Sequence, residues 1–214
     1  MFLLKIHWTD TSRCTGVCRN KMWRVITEME RDMEHCLITH CSPTLASLKA
    51  ANMFRFFYSA AEDLNEYVAR WDQRLSAKGV KICVLHKKKN EALIYVYREN
   101  LLERDLRNKA VVSFMKRYQY PLGTVEDAIN HLKKRFGQSE AFPHEIGLFL
   151  GYPLGDVKGF IKNEGKNCLC CGYWKVYCNV CETMRLFEKF NHCRDVYRQR
   201  FENGTSVMQL TVAA

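Results

Sequence analysis

Two short stretches rich in β-branched and aromatic residues are the feature that most constrains how this chain can fold. They are VKICVLH at residues 80–86 and ALIYVYR at residues 92–98, with a lysine-rich segment, KKKN, between them. Such side chains favour strands, and a short polar connection favours an antiparallel hairpin. YWKVY at residues 173–177 alternates in the same way. The sequence therefore predicts a small, mostly antiparallel sheet, with a hairpin at about 80–98 and a further strand at about 173–177.

Periodic apolar residues and capping residues predict about six to seven helices around this sheet. Residues 59–62 and 124–127 have capping-box spacing, and each group precedes apolar residues at every third or fourth position. One helix is predicted over residues 100–118 and another over about 180–201. Helices that pack on an antiparallel sheet define the α+β class, which is the fold class that the sequence predicts.

The chain has 214 residues, enough for one sizeable domain, and contains no low-complexity tract or Pro/Gly-rich linker. We therefore expect a single α+β domain at residues 33–214. Residues 1–32 differ from the rest, because TDTSRCTGVCRN has turn composition and no apolar period. They are expected to form an N-terminal extension that is either disordered or upstream of a true start at Met29 or Met33.

The N-terminal sequence and the cysteine content bear on the cellular compartment. No apolar run approaches the roughly 18 residues of a membrane helix. MFLLKIHW is too short for the apolar part of a signal peptide and is interrupted by Lys5. We therefore expect a cytoplasmic protein without a membrane segment, whose 11 cysteines are mostly free thiols.

The chain is strongly basic, with a formal net charge of +10. Residues 81–136 contain 13 Lys and Arg against 6 Asp and Glu, which gives +7, and residues 158–200 contain 9 against 4, which gives +5. A basic surface attracts nucleic acid, anionic ligands or an acidic protein partner. The solvated lysines of an ordinary soluble protein explain the same charge.

The segment HCSPT at residues 40–44 is the first candidate for a reactive site. Ser42 is a good N-cap and Pro43 suits the first position of a helix, so a helix is predicted to begin here. Cys41 would then lie ahead of the positive end of the helix dipole and beside His40, and both favour a thiolate. A thiolate can act as a nucleophile, a redox thiol or a metal ligand. The alternative is a buried cysteine at an ordinary helix entry.

A second candidate is FPHEIGLFLGYP at residues 142–153. Pro143 and Gly151 predict a helix and the turn that follows it, with His144 and Glu145 in the first turn of that helix. A His–Glu pair that faces a cleft can transfer protons or bind a metal. The alternatives are a capped helix start with a surface histidine, and a DNA-binding helix–turn–helix.

Four cysteines, Cys168, Cys171, Cys178 and Cys181, form two C-x2-C pairs separated by six residues. Paired C-x2-C motifs are typical of zinc or iron–sulfur sites. A five-residue strand between the pairs would span about 17 Å and separate them unless the chain folds back. A redox-active Cys168/Cys171 pair is the alternative.

Five further residues are candidates for binding a cofactor or another ligand. Lys49 and Asn52 lie on the helix predicted from residue 42, whereas Trp174, Lys175 and Tyr177 lie on the predicted strand. Interleaved aromatic and basic residues can line a pocket. The alternatives are that Lys49 and Asn52 face water and that the three strand residues are part of the core and edge of the sheet. No P-loop, G-x-G-x-x-G or G-x-S-x-G motif occurs, which argues against the common ATPases, Rossmann oxidoreductases and α/β-hydrolases.

Three segments resemble a known family. They are HCSPTLASLKAANMF at residues 40–54, FPHEIGLFLGYPLGDVKGFI at 142–161 and CGYWKVY at 171–177. Together with the closing QLTVAA, they resemble the bacterial domain of unknown function 3793 family, found mainly in anaerobic Firmicutes. The resemblance covers about residues 34–214. It implies an association with ferrous-iron transport and flavodoxins, and no particular reaction.

The sequence therefore predicts a cytoplasmic α+β protein with a cysteine-centred site in thiol redox or iron-linked metabolism. Cys41 is the predicted reactive or ligating thiol, and zinc or iron is the candidate metal. The alternative is a non-catalytic binding protein that uses its basic surface for an acidic, flavodoxin-like protein partner or for nucleic acid.

Overall fold

The computed structural model of the chain describes residues 22–58, 63–121, 123–138 and 142–213. Within these residues helices pack on a small antiparallel sheet in an α+β arrangement, which confirms the predicted fold class. In chain order they are α1 (Met22–Leu45), β1 (Ala51–Phe57), α2 (Leu64–Ser76), β2 (Lys81–Lys87), β3 (Glu91–Tyr97), α3 (Glu99–Leu106), α4 (Lys109–Met115), α5 (Val125–Gln138), α6 (Ile146–Phe149), α7 (Leu154–Lys162), β4 (Cys170–Cys171), β5 (Lys175–Val176), α8 (Val180–Glu202) and α9 (Val207–Leu210).

The main sheet has three antiparallel strands in the order β1-β3-β2. The predicted hairpin is confirmed, because β2 and β3 pair directly across the lysine-rich turn. The third strand is β1, a segment for which the sequence predicted a helix. The strand predicted at 173–177 is reduced to Lys175–Val176, which pairs with Cys170–Cys171 in a separate two-stranded sheet.

Helices cover both faces of the three-stranded sheet. Alternate residues of β3 point to opposite faces, as in any strand. Ala92, Ile94 and Val96 pack with α1 and α2, whereas Tyr95 packs on the other side with α3, α4, α5 and α6. Burying apolar side chains on both faces stabilises the sheet by roughly 25 cal/mol per Å² of apolar surface removed from water. No helix within the described ranges is both long enough and apolar enough to cross a lipid bilayer.

The prediction that a helix begins at Ser42 is wrong, because a helix ends near this residue instead. α1 runs from Met22 to Leu45 and contains Pro43 in its last turn. The Ser42 hydroxyl does not cap an N-terminus but donates a hydrogen bond back to the Ile38 carbonyl. Ser47 then adopts a left-handed conformation with φ 60°, which turns the chain toward β1. Serine and proline are compatible with both ends of a helix, and the apolar residues upstream decide between them. These residues are Met33, Leu37, Ile38, Cys41 and Leu45, all buried on one side of α1.

Arg98 closes the C-terminal end of α1. Its side chain is fully buried, and its guanidinium donates hydrogen bonds of 2.7 Å to the carbonyls of Thr44, Leu45 and Val212. The Val212 amide in turn donates to the Leu45 carbonyl at 3.0 Å. The last carbonyls of a helix have no partner within the helix and carry partial negative charge, so a buried cation is favourable there. Arg98 therefore ties α1, the end of β3 and the segment after α9 together.

The other helices largely follow their sequence patterns. α2, α5 and α8 lie where periodicity placed them, and α2 buries Leu64, Tyr67, Trp71 and Leu75 as expected. The helix predicted over 100–118 is divided at Asn108, whose side chain caps α4 by accepting from the Ala110 amide. Residues 59–62, where a capping box was predicted, lie outside the described residues.

The boundary predicted between an N-terminal extension and the domain falls within α1. Residues 1–21 lie outside the described part of the chain, whereas residues 22–32 belong to the helix. The division at residue 32 therefore stays a prediction.

Candidate functional site

The three segments singled out in the sequence meet at one point of the structure. The Lys49 amine of the first segment lies 5.2 Å from the ring centre of Tyr152 in the second. The Tyr152 ring stacks on Trp174 of the third, with 4.7 Å between ring centres. We call this contact the Lys49–Tyr152–Trp174 stack. It joins the turn before β1, the turn before α7 and the turn before β5.

Lys49 is buried, with 5% of its surface exposed, and its amine donates a 2.5 Å hydrogen bond to the Ala51 carbonyl. Burial lowers its pKa from 10.5 to about 7, and the nearby Cys41 opposes this shift. Removing an ammonium from water disfavours its charged form, which explains the direction. Lys49 was predicted either to serve a ligand or to face water, and the structure places it inside the protein beneath an aromatic ring.

The surroundings of Cys41 are the reverse of those predicted. Cys41 lies in the last turn of α1, near the negative end of the helix, and is completely buried. Burial, with a contribution from Cys36, raises the pKa of Cys41 well above its ordinary value. His40 stacks on Phe54 at 5.6 Å, and burial, with a smaller effect of Arg194, lowers its pKa. The argument for a Cys41 thiolate depended on a helix start that does not exist, so its physical basis is lost.

A buried carboxylate, Asp156 in the first turn of α7, holds the cysteine-bearing segment in place. It accepts hydrogen bonds from Trp174 Nε1 at 2.7 Å, from the Tyr177 amide at 2.7 Å and from the Cys178 amide at 3.0 Å. The Cys178 thiol donates to the same carboxylate at 3.3 Å. Hydrogen bonds to an ionised group are stronger than neutral ones and compensate for its burial. Asp156 therefore fixes the position of residues 174–178 against α7.

Two glycines of α7 allow this close approach. A Cβ atom added at Gly155 would lie 2.6 Å from Cys178 Sγ, and one added at Gly159 would lie 2.5 Å from the Tyr177 side chain. Both distances are shorter than real side-chain contacts, so a larger residue would displace the segment. The Gly-Asp-x-x-Gly spacing of residues 155–159 thus has a structural reason.

A family model described as protein of unknown function (DUF3793) matches residues 37–211. The chain belongs to this family. The match spans all three segments of the Lys49–Tyr152–Trp174 stack, so the stack is part of the DUF3793 region. No curated protein and no solved structure matches the chain.

In this DUF3793 chain the cysteines after α7 lie on a short hairpin and the start of α8. We call residues 168–181 the cysteine hairpin. The cysteines within the described residues are free thiols. Cys171 and Cys181 are exposed, whereas Cys168, Cys170 and Cys178 are half-buried. Exposed and half-buried thiols are open to reagents and partners, so this hairpin is the most accessible group of sulfur atoms in the described residues.

The predicted four-cysteine metal site stays a prediction, although one member has another role. The Cys178 thiol is a hydrogen-bond donor to Asp156, and burial together with that hydrogen bond and charge raises its pKa. A cysteine ligand must lose its proton, so metal binding by Cys178 would break this contact. Among the residues that the structure describes, no three His, Cys, Asp or Glu side chains are grouped to hold a metal ion.

His144 and Glu145 were predicted to face a cleft as a pair, and the structure places the two side chains in different surroundings. Glu145 is buried and accepts hydrogen bonds from the Arg135 guanidinium and, at 3.0 Å, from the Tyr120 hydroxyl. His144 is half-buried, with its ring 5.1 Å from that of Phe160, and burial lowers its pKa. Its Nδ1 atom is buried without a hydrogen-bond partner. Glu145 therefore belongs to an internal ion pair between α5 and α6.

The remaining predicted ligand residues have internal contacts. Asn52 accepts a hydrogen bond from the Thr44 hydroxyl at 2.7 Å, and Lys175 donates to the Gly165 carbonyl at 2.6 Å. The hydroxyl of Tyr177 is buried without a partner. Of the five residues predicted to bind a ligand, Lys49 and Trp174 lie close together in the structure. Tyr152, which was not predicted to bind a ligand, lies between them.

Sequence reasoning missed Tyr152 and Asp156 as organisers of the site. The sequence did contain a signal that Asp156 accepts hydrogen bonds, because the free amides in the first turn of a helix favour an acidic residue there. Its actual partners are amides of a segment about twenty residues further along the chain, and no local pattern identifies them.

Proposed function

We propose that this chain is a cytoplasmic thiol–disulfide exchange protein in redox or iron-linked metabolism, with Cys168 and Cys171 as its working pair. The observation that carries the proposal is the cysteine hairpin, where an exposed Cys171 lies three residues from a half-buried Cys168 and both are reduced. Exchange needs one accessible thiol for attack and a second within reach to resolve the mixed disulfide. This assignment replaces Cys41, which is buried.

The backbone between the two cysteines supports closure of a disulfide. An extended strand would separate the Cα atoms of residues three apart by about 10 Å. A disulfide requires a Cα separation of roughly 4.4–6.8 Å. The chain bends at Leu169, between Cys168 and Cys171, which shortens this separation. Asp156 fixes the second half of the hairpin through the amides of Tyr177 and Cys178, so the hairpin that contains the bend is anchored to α7.

The proposed oxidant is a disulfide of a partner protein with an acidic surface. The Cys171 thiolate attacks one partner sulfur, forms a mixed disulfide and releases the first partner thiolate. The Cys168 thiolate then attacks Cys171 Sγ, forms the Cys168–Cys171 disulfide and releases the second. Two electrons and two protons pass from this chain to the partner, whose disulfide becomes two thiols. The net charge of +5 over residues 158–200 favours an acidic partner.

The test is exchange with a small disulfide, followed by mapping of the products. We expect reduced protein treated with oxidised glutathione to yield a Cys168–Cys171 disulfide by peptide mass spectrometry. We expect Cys171→Ser to slow exchange at least about tenfold, since the attacking thiol is lost. Cys181→Ser is the matched control, because Cys181 is also exposed. Equal rates for Cys171→Ser and the parent, or a disulfide that omits Cys168, would refute the proposal.

A second candidate function is non-catalytic binding of an acidic partner or nucleic acid. It is favoured by exposed cations on α4, α7 and the turn after α4, namely Lys109, Lys116, Arg117 and Lys158. Lys158 lies 5.8 Å from the ring centre of Phe114 on α4, so the cations of α4 and α7 are neighbours. Affinity for a polyanion that falls steeply as salt rises would support this function. Exchange with the uncharged disulfide of oxidised dithiothreitol should be nearly independent of salt.

A further inference from the structure

A cysteine of the cysteine hairpin meets a methionine of α8 at the protein surface. Cys170 Sγ on β4 lies 3.9 Å from Met184 Sδ on α8. Cys170 is half-buried and Met184 is 41% exposed, so solvent reaches the pair. A ring contact beneath the two sulfur atoms fixes the hairpin against α8. Trp174 of the hairpin packs edge-to-face on Phe187, which lies one turn after Met184, with 4.6 Å between the ring centres. The pair is therefore positioned by the fold.

The separation of the two sulfur atoms allows both to bind one metal ion together with at least one further ligand. Metal–sulfur bonds for ions of this size are about 2.3 Å. An ion at that distance from both atoms would have a sulfur–metal–sulfur angle of about 116°, close to the 120° of a trigonal site. A linear two-coordinate ion would need the two sulfur atoms to lie about 4.6 Å apart. The observed separation is shorter, so a third ligand is expected on the solvent-exposed side of the pair.

The ligand types select the metal. Thiolate and thioether sulfur are soft ligands that prefer Cu(I), whereas zinc takes thiolate, imidazole or carboxylate. We propose that Cys170 and Met184 bind a soft monovalent cation of the Cu(I) type, with a thiolate in the third position. That thiolate comes from Cys168 or from a small thiol in solution. This site is distinct from the predicted zinc or iron site, which contained neither Cys170 nor Met184.

Binding exchanges a proton for the metal ion, without transfer of electrons. The Cys170 thiol, whose proton now points at the Met184 sulfur, becomes a thiolate bound to the metal, and the proton passes to solvent. Because the thiol must lose its proton to bind, protons compete with the metal ion, and affinity is expected to rise with pH.

The test is anaerobic titration of the full chain with Cu(I) in competition with a chromophoric Cu(I) chelator. We expect one ion per chain and a loss of affinity of at least about tenfold in Met184→Leu, because removal of even an outer contact of a metal site costs that much. Cys181→Ser is the matched control, since Cys181 is an exposed thiol one turn before Met184 on α8. Unchanged affinity in Met184→Leu, or an equal loss in Cys181→Ser, would overturn the assignment.

A second measurement separates the site from general thiol binding. With Ag(I) as a probe, the ¹³C-methyl resonance of Met184 should shift, whereas that of the half-buried Met208 on α9 should not. Loss of binding in Cys168→Ser, or a requirement for added glutathione, identifies the source of the third ligand. A site that depends on neither is not a three-sulfur site, and the proposal then fails. Met184→Leu should retain normal disulfide exchange, so failure here leaves the proposed function standing.

Discussion

Replacing Arg98 by methionine tests whether a buried cation closes the C-terminal end of α1. Methionine has a similar length and no charge, so Arg98→Met removes the guanidinium while filling part of its space. The change deletes the hydrogen bonds to the carbonyls of Thr44, Leu45 and Val212. The Val212 amide still has the Leu45 carbonyl as its acceptor, so the segment after α9 is loosened and not detached.

The expected cost follows from these contacts. Each hydrogen bond to a charged group contributes a net stabilisation of about 1.5–3 kcal/mol. Three such bonds give about 4.5–9 kcal/mol, and relief from burying the guanidinium offsets part of this. We therefore expect Arg98→Met to lower the free energy of unfolding by about 3–5 kcal/mol. Arg98→Lys keeps the charge but loses the planar fork, so its effect should be intermediate.

Urea unfolding followed by tryptophan fluorescence measures the change, and Arg104→Met provides the control. Arg104 is 70% exposed and pairs with Asp105, so its loss should cost less than about 1 kcal/mol. Hydrogen exchange of the Val212 amide should accelerate in Arg98→Met and not in the control. If Arg98→Met is no less stable than Arg104→Met, Arg98 does not hold α1 as described.

Two other predictions concern the site. Because the folded pKa of Lys49 is about 7 and the unfolded value is 10.5, the unfolded chain binds more protons between these limits. The contribution of Lys49 to stability should therefore rise by up to about 1.4 kcal/mol per pH unit from pH 7 to 9. The difference in the free energy of urea unfolding between the parent and Lys49→Met should change with pH by this amount, and parallel pH profiles of the two proteins would contradict it. Asp156→Asn loses a charged acceptor of four hydrogen bonds, so Cys178 should react faster with a thiol reagent such as dithionitrobenzoate. An unchanged rate would show that Asp156 does not protect the thiol.

The parts of the fold that sequence reasoning found are those with strong local patterns. The β2–β3 hairpin, α2, α5 and α8 each carry a periodic apolar face and a turn or cap at the end. α1 and β1 were misassigned, because Ser42 and Pro43 fit either end of a helix. The residues before Ser42 are buried by packing against the sheet and α8. Only this burial shows that the helix precedes Ser42 and Pro43.

The candidate site was predicted as separate residues, and the connections between them were not. Lys49 and Trp174 were singled out individually, but Tyr152 joins them by ring contacts, and Lys49 and Tyr152 are about a hundred residues apart in the sequence. The argument for a Cys41 thiolate lost its physical basis for a related reason. The pKa of a thiol depends on its depth in the folded protein, and adjacent residue types in the sequence do not determine that depth.

The contacts of Arg98 can form only in a fixed order while the chain is synthesised. The ribosome makes α1 well before Arg98, which is 53 residues after Leu45, and Val212 follows 114 residues after Arg98. At about 5–20 residues per second, that second interval lasts about 6–23 s. During this time Val212 is not yet available to complete the contacts at the carbonyl end of α1. The final hydrogen bonds form once translation has passed Val212, so a chain released earlier lacks them and should be the form that chaperones and proteases engage first.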